Sequence, residues 1–121
     1  VLEPLGGYML LASKMWEEPT KYCEGWNFGP RTESIANVWD VATKLIRNYG
    51  KGDLKDVSDP NALHEAKLLM LDINKAHFKL GWEPRMNIDQ CLAMVAEWYK
   101  RYFKEDVYQL CVEQINKYIC K

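Results

Sequence analysis

Apolar residues fall along this chain in dense periodic stretches, separated by segments rich in Pro, Gly, Asn and Asp. From Leu2 to Trp16 the apolar positions are Leu2, Leu5, Tyr8, Met9, Leu10, Leu11, Ala12, Met15 and Trp16. That spacing predicts a helix with more than one apolar face, which calls for burial on several sides. Glu17-Glu18-Pro19 ends it, because Pro disfavours a helical conformation at the residue before it. Ile35, Val38, Trp39, Ala42, Leu45, Ile46 and Tyr49 form a second stripe, predicting a helix from near Glu33 or Ser34. Thr32 or Ser34 serves as its cap, and Gly50 is its C-terminal stop. Asn87-Ile88-Asp89-Gln90 reads as a capping arrangement for a helix carrying Ile88, Cys91, Leu92, Val95, Trp98, Tyr99, Tyr102 and Phe103. A last helix, from about Asp106, carries Val107, Leu110, Cys111, Ile115, Tyr118 and Ile119.

Between the helices the pattern changes. Trp26-Asn27-Phe28-Gly29-Pro30 reads as a short strand entering a turn, with Pro30 unable to extend a central ladder. Leu54 to Ser58 is a second short strand, followed by the turn Asp59-Pro60-Asn61. Lys67 to Asp72 is the best strand candidate, and Asn74 to Leu80 is a two-turn helix with Gly81 behind it. The expected fold is mixed α/β but helix-dominated, with about five helices and a few short strands. No internal repeat or long linker divides the chain, so residues 1–121 read as a single domain.

At 121 residues the chain is long enough to bury roughly two thirds of its unfolded surface. A hydrophobic fraction of 48% argues against disorder. Sixteen basic and seventeen acidic side chains give a net charge of −1, which supplies no electrostatic footprint for nucleic acid or an anionic membrane. The most basic cluster, Lys100, Arg101 and Lys104, reads as a solvated helix face. No apolar run approaches the roughly 18–20 residues that span a bilayer, and no signal peptide is visible. Val1 reads as a cut point. Cys23, Cys91, Cys111 and Cys120 lack metal-ligand spacing, so the expectation is a cytoplasmic chain with reduced thiols, Cys91 and Cys111 acting as small hydrophobes.

The chemistry-bearing motifs are sparse. His64-Glu65 begins like a zinc-protease helix, but Leu68 stands where the second His would be, and the other histidine is His77. No metal site is expected. Leu5-Gly6-Gly7-Tyr8 lacks the third Gly and the preceding strand of a phosphate-binding turn. No Tyr is followed four residues later by Lys, and no Ser occupies a nucleophile elbow. Candidate binding residues are therefore polar groups in loops. Asn27 offers an amide either to a ligand or to turn backbone. His64 and Glu65 offer a donor and an acceptor suited to phosphate, hydroxyl or amino groups, or form a surface pair. Arg85 is either a phosphate clamp or a solvated side chain after Pro84.

Several segments together resemble the C-terminal part of the CDP-glucose 4,6-dehydratases, a group of extended short-chain dehydrogenase/reductases. They are Leu2-Glu3-Pro4-Leu5-Gly6-Gly7-Tyr8, Trp26-Asn27-Phe28-Gly29-Pro30, His64-Glu65-Ala66, Leu71-Asp72, Lys75-Ala76, Leu80-Gly81-Trp82-Glu83-Pro84, Glu97-Trp98-Tyr99 and Gln114-Ile115. They follow the family's order and cover nearly the whole chain. Leu-Gly-Trp-x-Pro is shared by many sugar-nucleotide enzymes; the opening Glu3-Pro4-Leu5 with Trp26-Asn27-Phe28-Gly29-Pro30 and His64-Glu65-Ala66 narrows the resemblance to the CDP-glucose type.

The resemblance implies the substrate-binding portion of a Rossmann-type enzyme without its N-terminal dinucleotide domain. In such enzymes the N-terminal half binds NAD and carries the catalytic Tyr, Lys and acid/base pair, whereas the C-terminal half closes over the nucleotide diphosphate and sugar. It implies that Asn27, His64 and Glu65 line the nucleotide side. It implies no catalytic residue and no cofactor in this chain, with NAD belonging to the full-length family. The implied partners are a CDP-glucose-like nucleotide sugar and either the missing N-terminal half or a further copy of the chain. The competing readings are a small helical interaction module that binds no nucleotide, and one half of a split dehydratase.

Overall fold

The computed structural model describes residues 1–59 and 70–120. Helix α1, Leu2–Glu17, ends before Pro19, and Pro19 opens the one-turn α2, Pro19–Tyr22. Pro suits that first helical position because its missing N–H would have no partner there. Helix α3 spans Val38–Tyr49, α4 Ile88–Arg101 and α5 Val107–Ile119. A 3₁₀ turn covers Thr32–Ser34 and a π-helical turn covers Ala76–Leu80.

The helix ends follow local chemistry. Asn87 accepts the N–H of Gln90 at 3.0 Å while the Gln90 side chain accepts the N–H of Asn87 at 3.1 Å, the reciprocal cap expected from the sequence. Asp106 accepts the N–H of Gln109 at 3.1 Å and starts α5. Gly50, at φ 90°, closes α3 by donating to the Ile46 carbonyl at 2.7 Å, a conformation that costs other residues a Cβ clash. The start of α3 differs from expectation. Thr32 and Ser34 belong to the separate 3₁₀ turn, and Asn37 is the cap, accepting from Asp40 N–H at 2.8 Å. The chain is extended at both Ile35 and Asn37, so the apolar stripe spans two elements rather than one.

No strand occurs among the described residues, so the mixed α/β expectation is replaced there by a helical architecture. The reason is that a strand exists only with a neighbour to complete its ladder. Trp26–Pro30 instead runs as irregular chain whose Trp26 and Phe28 side chains pack on the core. At Leu54–Ser58 the Asp56 carboxylate accepts the Ser58 N–H at 2.9 Å and also its hydroxyl, so this backbone donor is met within the segment rather than by a neighbouring strand. Of the third candidate, Lys67–Leu69 lie outside the described residues, and Met70–Asp72 are not in a strand. The Asp59-Pro60-Asn61 turn also extends into the undescribed segment.

α3 lies along α4, and α4 and α5 form an antiparallel hairpin. A core of Tyr22, Ala76, Leu80 and Trp82 sits under α1, with Leu10, Leu11, Trp26, Phe28 and Ile73 packed around it. Phe28 meets Trp82 edge-on at 5.0 Å and Tyr8 edge-on at 5.4 Å, geometries that suit aromatic quadrupoles. Gly6 and Gly7 make the close approach possible. A Cβ on Gly7 would lie 2.3 Å from the Phe28 ring, and one on Gly6 would lie 2.8 Å from the Tyr118 hydroxyl.

Candidate functional site

The loop that follows α2 is brought against the chain that leads into the π-helical turn. Asn27 Nδ2 donates to the Asp72 carbonyl at 3.3 Å. Two residues on, a Cβ at Gly29 would stand 3.4 Å from Leu71 Cβ, so the two backbones nearly touch. Lys75 Nζ donates to the Gly25 carbonyl at 2.8 Å, pairs with Glu24 at 2.8 Å and lies 4.6 Å from the centre of the Trp26 ring. The Lys75 ammonium, hydrogen-bonded to Glu24, holds that carboxyl below its ordinary range. Farther along, the Arg31 guanidinium donates to Glu83, whose other oxygen is 2.8 Å from His77 Nδ1.

These ties leave a cleft of ≈ 500 Å³ between Pro30–Glu33 on one side and Met70–Asn74 on the other. Arg31 forms part of its wall and also of a neighbouring cleft of ≈ 610 Å³ that includes Glu83, Arg85 and Tyr118. Asn27 is exposed at the edge of this region, on the segment bonded to Asp72. One of its two amide N–H groups is engaged by backbone, the arrangement expected of a turn-satisfying Asn. Among the described residues its amide oxygen is not engaged. His64 and Glu65 lie outside the described residues.

Arg85 is not a freely solvated side chain. Its guanidinium donates to the Ile119 carbonyl at 2.9 Å and lies 5.5 Å from the Tyr118 ring centre. A cation at the last carbonyls of a helix complements the negative end of its dipole. The backbone N–H groups of Arg85 and Met86 both turn toward the Glu3 carboxylate. Tyr118 donates its hydroxyl to the same carboxylate at 3.2 Å, and burial together with the nearby Glu3 charge pushes its ionisation up to about 12.

The Leu80-Gly81-Trp82-Glu83-Pro84 segment acquires a physical role from this arrangement. Leu80 and Trp82 are core, and Pro84 is buried. Gly81, at φ 69°, reverses the chain between Leu80 and Trp82, its N–H donating to the His77 carbonyl at 3.0 Å. Glu83 is left outside to join Arg31 and His77. The segment is a scaffold that aims one carboxylate. Neither Arg31 nor Glu3 carried a sequence signal of these contacts, since Arg31 to Glu83 spans 52 positions and Glu3 to Tyr118 spans 115. The Lys100, Arg101, Lys104 cluster is likewise not uniformly solvated. Arg101 donates to Glu97, Glu105 and Glu113, tying α4 to α5.

The paired glycines do not fit a dinucleotide. Gly6 and Gly7 are inside α1, pressed against Tyr118 and Phe28, so their N–H groups are not arrayed around a phosphate. Among the described residues no three His, Cys, Asp or Glu side chains cluster to hold a metal ion. None of the described helices is long and apolar enough to cross a membrane.

No protein-family model matches the chain. Over 120 residues, 98% of its length, it is 35% identical to the CDP-glucose 4,6-dehydratase of Salmonella typhimurium. The match covers 33% of that protein, so the chain spans about a third of the length of its curated relative. Over nearly its whole length, the chain is a relative of the C-terminal part of CDP-glucose 4,6-dehydratase.

Proposed function

We propose that this chain supplies the nucleotide-sugar side of a CDP-glucose 4,6-dehydratase-like lyase and is catalytically incomplete without the remainder of the enzyme. The observation that carries the reading is the 35% identity maintained across 98% of the chain. In this reading the hydride carrier, NAD, is held by the remainder of the enzyme, and the residues of this chain carry no step of the chemistry. The task of this chain is to bind and orient. Asn27 offers its unengaged amide oxygen, a hydrogen-bond acceptor, toward the nucleotide. His64 supplies a donor for phosphate or hydroxyl oxygens, and Glu65 an acceptor for sugar hydroxyls or a base amino group. The ≈ 500 Å³ cleft between Pro30–Glu33 and Met70–Asn74 has the size of a small-molecule site. The same reading puts the protein in the cytoplasm, where nucleotide sugars are made.

The test is thermal unfolding with CDP-glucose, with CDP, UDP-glucose and dTDP-glucose as comparators. A ligand that binds only the native state at one hundred times its Kd stabilises it by about 2.7 kcal/mol. The expected result is a midpoint shift selective for the cytidine ligands and reduced in Asn27→Ala, His64→Ala and Glu65→Ala. Equal shifts with all nucleotides, or no shift at millimolar ligand, would remove the reading.

A further inference from the structure

The cleft of ≈ 610 Å³ beside the Pro30–Glu33 cleft is walled by hydrogen-bond donors that the fold does not use up. Arg31 and Arg85 both stand on its wall. A guanidinium carries five N–H donors in a planar fork. Arg31 directs Nη2 to Glu83, and Arg85 directs Nη1 to the Ile119 carbonyl. Among the described residues the remaining donors of both groups meet no hydrogen-bond acceptor. Trp82 belongs to the same wall and is 5% exposed, and its indole N–H likewise has no acceptor among the described residues. A buried donor of that kind is costly unless something accepts from it. Glu83 is the carboxylate on this wall, and it is already shared between Arg31 and His77. The nearby Glu3 is occupied by the Arg85 and Met86 N–H groups and the Tyr118 hydroxyl.

We propose that this cleft binds a phosphate-bearing anion, at a second site separate from the one proposed for the nucleotide sugar. Arg31 and Arg85 hold the phosphate oxygens, and Trp82 donates its indole N–H. Donors without acceptors select an anion, and planar guanidinium forks match phosphate oxygens two at a time. The volume is that of a small-molecule site rather than of a bare ion. Leu10 and Ile119 add apolar wall, which suits the organic part of a phosphate monoester. Glu83 acts as a placeholder: it holds Arg31 when no anion is bound and competes with the ligand for it. The proposal stands on the cleft's own donors and does not depend on the nucleotide-sugar reading.

The test follows the Nε–H resonances of Arg31 and Arg85 and the indole N–H resonance of Trp82 by ¹⁵N NMR. The chain is titrated with inorganic phosphate, phenyl phosphate and CDP, with sodium chloride at matched ionic strength as the control. The expected result is a saturable shift of all three resonances with phenyl phosphate, a weaker response to inorganic phosphate, and none to chloride. Arg31→Gln should weaken phenyl phosphate binding about tenfold, the loss of a hydrogen bond between charged groups. Glu83→Gln should tighten it, because Arg31 is released to the ligand; a Glu83 with a purely structural role would give no such gain. Both side chains are half exposed, so an unchanged unfolding midpoint of each variant separates loss of binding from loss of fold. Asn27→Ala should leave phenyl phosphate binding unchanged, as two separate sites require. Shifts reproduced by chloride, or binding no tighter in Glu83→Gln, would overturn the proposal. A response to CDP alone, or one abolished by Asn27→Ala, would assign the phosphate to the nucleotide and overturn the separate site.

Discussion

The carboxylate of Glu3 accepts the backbone N–H of Arg85, each of its oxygens standing 3.0 Å from that nitrogen. It accepts Met86 N–H at 2.8 Å and the Tyr118 hydroxyl at 3.2 Å as well. One side chain in the first turn of α1 therefore joins the loop before α4 to the end of α5. Removing it leaves two backbone donors and a phenol to find other partners. Hydrogen bonds to a charged acceptor each contribute about 1.5–3 kcal/mol, and their losses do not add fully. Glu3→Ala is expected to lower stability by about 2–4 kcal/mol in urea unfolding, with Glu3→Gln between it and the parent chain. A Glu3→Ala midpoint equal to the parent's would refute the role of this carboxylate as a tie.

Gly7 is expected to tolerate no side chain. Replacing Gly by Ala inside a helix normally stabilises by about 1 kcal/mol. Here the added Cβ falls 2.3 Å from Phe28 Cδ1 and 2.8 Å from its Cγ, on a ring held between Tyr8 and Trp82. Overpacking a core costs about 1–3 kcal/mol, and the clash reaches the base of the ring, where rotation gives little relief. Gly7→Ala should lower the melting temperature and Phe28→Leu should partly rescue it in the double variant. Gly25→Ala, with nothing among the described residues within 4 Å of its added Cβ, is the neutral control.

Acid should loosen the α4–α5 hairpin. Arg101, and after it Lys117, holds the Glu113 carboxyl down to about 2, from an ordinary 4.5. A folded-state value below the unfolded one means that the ion pair's contribution is fully present above about pH 4.5. It fades as the pH falls toward 2, where the unfolded chain binds a proton that the folded chain resists. Arg101→Gln should move the Glu113 titration, followed by carboxyl NMR, upward toward the ordinary value and flatten the acid limb of stability. An unmoved Glu113 midpoint would show that the pair is not formed in solution.

Thr43 places its hydroxyl in a buried position on α3 with no hydrogen-bond partner among the described residues. A buried polar group without a partner is a net cost, which an apolar group of the same shape removes. Thr43→Val is expected to leave the melting temperature unchanged or raise it by a few degrees. A clear drop would mean that the hydroxyl has a partner in solution.

The candidate site was legible only in part. Asn27 stood out as an amide beside aromatics in a loop, and the structure puts one of its N–H groups on the Asp72 carbonyl, 45 positions away. The Arg31–Glu83–His77 relay could not be read in advance. Each member looks like an ordinary surface residue until the loop after α2 and the turn after Leu80 meet. Arg85 misled for a related reason. Its position after Pro84 suggested solvent, but the chain reversal at Gly81 carries it to the end of α5.

What the sequence determined by itself was local. Asn87 with Gln90 capped α4, Asp106 began α5, Gly50 ended α3 and Pro19 closed off α1. Each depends on atoms within a turn of one another, so neighbouring residues suffice to specify it. The order of the family segments was likewise a property of the chain alone. The tertiary structure decided the rest. It left Trp26–Pro30 without a ladder, because a strand's hydrogen bonds belong to its neighbour as much as to itself. It turned Gly6 and Gly7 into contact points for Tyr118 and Phe28, and it made Glu3 a tie rather than a helix-start charge. Those outcomes depend on which distant surfaces meet. Periodicity identifies an apolar face, but only packing decides what covers it, and on the outward side of α1 that face is still open.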